Sequence, residues 1–430
     1  MMTSRTLIAA CCLLLCLAAT SGPITVSETA ITNNYPESVT FEVEASSTVG
    51  DITSVELNLL VRGTGSTTVY VAEFTPGPQV RASVEWKTLQ GSVPPGAPAE
   101  YTWAIEDEAG NTLETDPAPY IVTDSRFTWQ TLEDEDIALW WYAGDAAFGQ
   151  RVFDAATQAL EAMERNTGLL LSYRVHVVLY ENREGFDSWH YYPREWVGGE
   201  AFPSMGLTVQ IIPPRDEEDT YWHTQGMVPH EVAHLFFYQA TYHPLSDYPQ
   251  TWLNEGFAQY HELVSHDQEL EWVRRIARSG DLIPLRLATG SFSGDDERIH
   301  LLYAESLSAV TFLLERWGEE GMKKLLTSFK EGRSDTNDAL IAATGLDFEE
   351  FQEAWWEWLG GEIGTYPTPI PTLVVPTFGP PPPESPTAQS PVTPEPTPGV
   401  PGPSMCCLPG AGAATLLGLL AFCDWREVVR

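Results

Sequence analysis

Cysteine is missing from the whole middle of this chain. All six cysteines lie at the ends: Cys11, Cys12 and Cys16 near the start, Cys406, Cys407 and Cys423 near the finish. That placement excludes a disulfide framework from the folded part, and any metal held there must rest on histidine and carboxylate. Positive charge is scarce too. Lys and Arg number 23 against 60 Asp and Glu, a net charge of −37, so nothing neutralises a run of phosphates and nucleic acid is excluded as a partner. The acidic surplus keeps a chain soluble without implying a specific partner. No internal repeat is present. Apolar residues are plentiful, at 43% with 15 tryptophans in 430 residues, enough for a sizeable core, and the length suggests two folded domains with tails.

The two ends differ from the middle. Arg5 followed by the apolar run Leu7 to Ala19 and the small residues Ala19-Thr20-Ser21 predicts a signal peptide over residues 1–21, cleaved before Gly22. A lipoprotein at Cys11 fits less well, since little apolar segment precedes it, and the run is short for an uncleaved anchor. Residues 364–404 are rich in Pro and Thr, with four consecutive prolines at Pro380 to Pro383, and are expected to form an extended stalk. In residues 405–430 the apolar run Leu408 to Phe422 is followed by Arg426 and Arg430. The positive-inside rule then places the terminus in the cytoplasm and the rest outside. This segment reads either as a retained membrane anchor, marginal in length, or as a processed sorting signal like those of bacterial surface proteins. The expected location is the extracellular face of the cell envelope, with the membrane as a partner through this segment.

Between the ends, two patterns follow one another. In residues 22–125, Val39 to Val43, Val55 to Leu59 and Tyr101 to Ile105 alternate apolar and polar residues. Turn-rich segments such as Pro76-Gly77-Pro78, Pro94-Pro95-Gly96 and Ala109-Gly110-Asn111 separate them. These predict an all-β sandwich, immunoglobulin- or fibronectin III-like, without a disulfide, acting as a spacer or as a substrate- or wall-binding module. In residues 126–363 the pattern becomes α+β. Phe148, Val152, Phe153, Leu160 and Met163 recur at helical spacing before Gly168. Leu169 to Tyr180 and Gly206 to Ile212 read as strands, and several helices follow. The last, Phe348 to Leu359, is capped by Asp347. Helices and strands are expected to be segregated rather than alternating.

The segment His230-Glu231-Val232-Ala233-His234 carries the chemistry. On a helix, residues four apart share a face, so both imidazoles can address one ion while Glu231 stands beside them as a base for water. Pro229 is tolerated only in a first turn, which predicts a helix start near Gln225 to Val228. The positions that would extend the motif to a third histidine hold Phe237 and Ala240, so a metzincin is excluded. About twenty residues on, Trp252-Leu253-Asn254-Glu255-Gly256-Phe257-Ala258 suits a second helix presenting Glu255 as third ligand. Two neutral imidazoles and one carboxylate would leave a single zinc ion with an open position and an acidified water.

On His230, Glu231, His234, the run Asn254 to Ala258, and Leu301-Leu302-Tyr303-Ala304-Glu305 with the residues that follow, the chain resembles the gluzincins, and within them the peptidase MA-like family related to aminopeptidase N. The resemblance covers about residues 127–361. It implies a zinc metallopeptidase acting on a peptide or protein, with metal ligands His230, His234 and Glu255, Glu231 as catalytic base and Tyr303 stabilising the oxyanion. It also implies a substrate-aligning edge strand near Gly199 and Glu200, with Glu200 as anchor for a free amine; the plain alternative there is a turn with an exposed glutamate.

Other charged residues read more simply. His223 and His243 suit the surface or an outer layer of the site, Gln259 suits a contact to a ligand, and Glu305 suits a solvated helix face. The acidic run Glu133 to Asp136 lacks calcium-loop spacing and reads as a charged linker. An endopeptidase, an aminopeptidase acting on free N-termini, and a non-catalytic surface-binding protein on a peptidase-like scaffold are the competing functions.

Overall fold

The computed structural model describes residues 22–88, 92–190, 198–215, 217–288, 296–332 and 335–361. The expected signal peptide, stalk and C-terminal apolar segment lie outside the described residues. All the described residues fall in one of the two compact units into which the chain divides.

The N-terminal part is built of strands. They are β1 (Ile24–Asn34), β2 (Ser38–Ser47), β3 (Ile52–Val61), β4 (Thr68–Val71), β5 (Gln79–Lys87), β6 (Pro98–Asp107), β7 (Thr112–Glu114) and β8 (Ala118–Ile121). They pair antiparallel into two sheets, β1-β2-β5 and β4-β3-β6-β7, with β8 also on β6. Alternation drives the assembly. Val39, Phe41, Val43 and Ala45 of β2 are buried, as are Val55, Leu57 and Leu59 of β3 and Tyr101, Trp103 and Ile105 of β6. The two buried faces share one core, in which the Phe41 and Tyr101 rings lie 5.0 Å apart. Each such side chain removed from water contributes about 1.5–3 kcal/mol before the cost of ordering the chain.

A second sheet system follows: β9 (Gln130–Glu133), β10 (Ile137–Trp141), helix α1 (Ala146–Thr167), β11 (Val175–Tyr180), α2 (Arg183–Asp187), β12 (Gly199–Phe202) and β13 (Leu207–Ile211). The strand order is β12-β13-β11-β10-β9. β10, β11 and β13 run parallel, with antiparallel β9 and β12 at the edges. Helix and strand therefore alternate here, against the expected segregation, because parallel strands need a crossover and α1 supplies it. α1 starts at Asp145, whose side chain accepts from the Phe148 N–H, and stops at Gly168. The strand expected over Leu169 to Tyr180 begins only at Val175. Leu170 is exposed, and the Ser172 and Tyr173 N–H groups donate to the Gln239 side chain instead of to a ladder. The acidic run at 133–136 is a turn, not a linker: Asp134 Oδ1 accepts from the Asp136 and Ile137 N–H groups and joins β9 to β10.

Helices complete the fold: α3 (Glu217–Trp222), α4 (Val228–Thr241), α5 (Thr251–Tyr260), α6 (Asp267–Ser279), α7 (Asp296–Lys330), α8 (Thr336–Thr344) and α9 (Phe348–Leu359). α9 carries a full capping box between Asp347 and Glu350.

One face of the second sheet is covered by the N-terminal part. Gly96, at φ +92°, sits where a Cβ would be 2.4 Å from Val178 Cγ2 and 2.8 Å from Leu207 Cδ1. Only glycine allows that turn to lie on the sheet. Beside it the Tyr180 hydroxyl donates to buried Asp124, which Arg126 also holds.

The expected membrane-anchored location is corrected. Among the described residues no helix is long and apolar enough to cross a membrane, which takes about 20 apolar residues. The longest, α7, is interrupted by non-helical backbone at Gly318 and carries Arg298, Glu305, Glu315 and Arg316 before it.

Candidate metal centre and active site

Pro229 has no N–H, so within a helix it leaves the carbonyl four residues back without a donor. α4 starts at Val228, within the start expected from sequence, but the chain enters it already helical. It continues from α3 through a π turn, His223–Met227, in which the Val228 N–H donates to the His223 carbonyl. The orphaned carbonyl, that of Gln225, accepts from the Leu263 N–H at 2.7 Å. The segment just beyond α5 is thereby pinned to the start of α4.

α4 is buried almost throughout and packs on α1, α5, α7 and the sheet. His230, Glu231 and His234 project from it into the interior, where each is at most 1% exposed. α5 brings Glu255, fully buried, to face them. Its approach depends on Gly256, where a Cβ would lie 2.2 Å from the Ser306 carbonyl oxygen of α7. Glu255 Oε2 is 3.6 Å from His230 Nε2 and 3.7 Å from His234 Nε2. These separations are long for hydrogen bonds. They match ligands lying about 2.0–2.2 Å from one tetrahedral zinc, whose mutual spacing is about 3.4 Å. Candidate ligand atoms of the three residues all lie within 4.8 Å of one another, the one such group among the described residues. His234 Nε2 and both Glu255 oxygens are buried without a hydrogen-bond partner, an arrangement that is costly unless a cation completes it. The donor set therefore fits a zinc ion.

The far sides of both rings are fixed. His230 Nδ1 lies 2.8 Å from Glu262 Oε1, and His234 Nδ1 lies 3.1 Å from Asn254 Oδ1. Each oxygen accepts the Nδ1 proton, which leaves Nε2 as the metal-facing lone pair. Burial disfavours a charged His230, yet Glu255 and Glu262 outweigh it and raise its pKa to about 10. Burial and the neighbouring His230 hold His234 well below the usual range. Glu255 and Glu262 thus favour one positive charge at His230, while burial and that charge disfavour a second at His234. Burial pushes the Glu231 carboxyl up to about 7, against the pull of His230 and with help from Glu255, Glu200 and Glu262. Its Oε2 has no hydrogen-bond partner.

Tyr303 lies half-buried on α7, one turn before Ser306 and so one turn from the α5–α7 crossing at Gly256. Gly199 and Glu200 lie on edge strand β12, not in a turn, and Glu200 is 7% exposed rather than open to solvent. Glu200 pairs with Val209 in register, so its side chain shares the sheet face of Val209, and its Oε2 lies 3.1 Å from His190 Nε2.

The outer residues divide differently from the expectation. The contact assigned to Gln259 is made by Glu262, while the Gln259 side-chain oxygen is buried without a partner. His243 accepts from the Leu245 N–H in a loop, and neither it nor His223 joins the ligand group. Glu305 is 1% exposed, not solvated; Oε1 accepts from the Ile283 N–H, and burial keeps its pKa well above the usual range. Glu262 went unseen in the sequence because α5 ends at Tyr260, so helical spacing gives no guide to a residue two positions beyond.

Among curated proteins none matches. Among solved structures, the chain has a likeness to the carbohydrate binding module of the muscle glycogen-targeting subunit of Protein Phosphatase-1, at 11% identity over 28% of this chain and 98% of that one. The TM-score is 0.20, too low to carry any inference. Residues 155–361, a little under half the chain, match the family model described as the Peptidase MA superfamily, which points to a metallopeptidase-type domain over the stretch that holds His230, His234 and Glu255.

Proposed function

We propose that the chain is a zinc-dependent peptidase of the gluzincin type, related to aminopeptidase N, with His230, His234 and Glu255 as metal ligands and Glu231 as catalytic base. One observation carries this: unpartnered, fully buried ligand atoms of His234 and Glu255 converge with His230, and the base stands next to them. Zinc, when bound there, supplies the Lewis acid that polarises the scissile carbonyl and makes the attacking water acidic. Glu231 takes a proton from that water and delivers it to the leaving amine, a task suited to a carboxyl poised near neutrality. The Tyr303 hydroxyl donates to the oxyanion of the tetrahedral intermediate.

Among the described residues β12 pairs only with β13, and α4 packs beside it. Its free edge can hold an extended peptide by main-chain hydrogen bonds, which aligns a substrate next to the metal helix. Glu200 is already engaged by His190, which favours cleavage of internal bonds over capture of a free amine. The β-sheet region (22–125) and the catalytic domain (126–363) are proposed as the two folded domains.

The test compares wild type with Glu231→Gln on mixed peptides with free and with blocked N-termini. Wild type should cleave both sets, while Glu231→Gln should retain stoichiometric zinc and lose hydrolysis. Undiminished hydrolysis by Glu231→Gln would refute the assignment, and cleavage confined to free N-termini would favour an aminopeptidase.

A further inference from the structure

Glu262 is buried, at 8% exposure, and its two oxygens face two different histidines, the first in a hydrogen bond and the second at ion-pair distance only. Oε1 lies 2.8 Å from His230 Nδ1, and Oε2 lies 3.3 Å from His266 Nε2. His266 is the residue from which α6 starts, and its Nδ1 is 3.9 Å from Glu269 Oε2 in the first turn of that helix. Four side chains thus form a line, His230, Glu262, His266 and Glu269, from the metal centre to the start of α6. The backbone holds the line in place through the hydrogen bond from Leu263 to Gln225.

A carboxylate touching only His230 would be free to rotate about its last torsion, which is broad and poorly defined for Glu. His266, within ion-pair distance of the other oxygen, limits that freedom. It restrains the plane of the carboxylate and with it the ring orientation of His230.

We propose that His266 is a positioning residue for the metal centre, acting through Glu262 to orient His230 and so to set zinc affinity. This rests on the metal reading of His230, His234 and Glu255. His266 does not touch the ion, and its effect must pass through Glu262. Removing a group that orients a metal-ligating histidine weakens metal binding by about 10–100-fold. Glu262→Ala should therefore weaken zinc by that range, and His266→Ala by a smaller factor, roughly three- to tenfold.

The experiment measures the zinc Kd of the full chain by competition with a chromogenic chelator. The variants are Glu262→Ala, Glu262→Gln, His266→Ala and the double variant Glu262→Ala/His266→Ala. Apo-protein melting is followed in parallel, and the visible spectrum of the cobalt-substituted forms reports ligand geometry. In the double variant the His266 change should have no further effect, since a relay through Glu262 makes the two substitutions non-additive. Glu262→Gln keeps an acceptor in place and should recover part of the affinity with an unaltered fold. An equal loss of zinc affinity from His266→Ala whether or not Glu262 is present would overturn the relay. So would a His266→Ala variant with wild-type Kd and cobalt spectrum. Failure of the wild-type chain to bind zinc would overturn the metal reading itself, a different result from tight binding that ignores these substitutions.

Discussion

Buried acids occur in both halves of the molecule, and the two halves treat them differently. In the β-sheet half, Asp107 accepts from the Ser47 hydroxyl, from the Ala109 and Asn111 N–H groups and from the Asn111 amide. Asp124, at its border, accepts from Arg126 and from the Tyr180 hydroxyl. Both carboxylates are fully answered, so they hold turns and joints together. In the helical half Glu231, Glu255 and Glu305 are as deeply buried, yet each leaves at least one oxygen without a partner. A folded chain keeps such a deficit only where something else compensates it. At Glu255 two imidazoles converge with the carboxylate into a group that could hold a metal ion. At Glu305 no such metal-ligand group is found among the described residues, and burial shifts the carboxyl toward its protonated form.

This contrast can be broken at either side. The largest effect is expected at Glu231, where Gln should lower kcat by about 10²–10⁴-fold, the usual weight of a general base, with melting temperature and zinc content unchanged. Next is Asp124→Ala, which leaves Arg126 and the Tyr180 hydroxyl unanswered and should destabilise the fold by about 3 kcal/mol, read from urea unfolding. Saturating zinc should stabilise wild type by about 2.7 kcal/mol at a hundredfold excess over Kd, a gain that chelator removes. Asp107→Asn, far from the site, should keep that zinc-dependent gain intact. The smallest effect belongs to Glu305. Its pKa is higher folded than unfolded, so the folded state holds the proton more tightly. Wild type therefore loses stability as pH rises from the unfolded value near 4.5 toward the folded one. Glu305→Gln has no proton to lose. Its stability relative to wild type should climb across that window in urea titrations, and a flat difference would mean Glu305 is charged in the fold.

How much of this was legible beforehand depended on how local the cause was. The grouping of His230, His234 and Glu255 was legible because the two histidines are fixed by helical spacing and Glu255 sits in a distinctive run. The helix from Phe348 to Leu359 was legible because Asp347 and Glu350 cap it within four residues. Strands β2, β3 and β6 showed their alternation. The features that escaped come from contacts between distant segments. Leu169 to Leu171 looked like strand, but Gln239, far along the chain, took up the backbone donors next to them. Pro229 marked the start of α4, but the π turn before it and the Leu263 N–H that answers the carbonyl it orphans follow no rule of sequence spacing. Glu200 and Glu305 looked exposed because burial of a single carboxylate is a property of the packed whole.

The turn at Gly96 has a further consequence for how the molecule comes apart. Val178, Leu207 and Val209 of the second sheet belong to the same apolar core as Phe41 and Trp103 of the N-terminal strands. Stripping away the first hundred residues would bare an oily sheet face rather than a finished surface. The two halves share one core, so heat is expected to unfold them in a single transition and the second half alone is expected to be less stable than the whole.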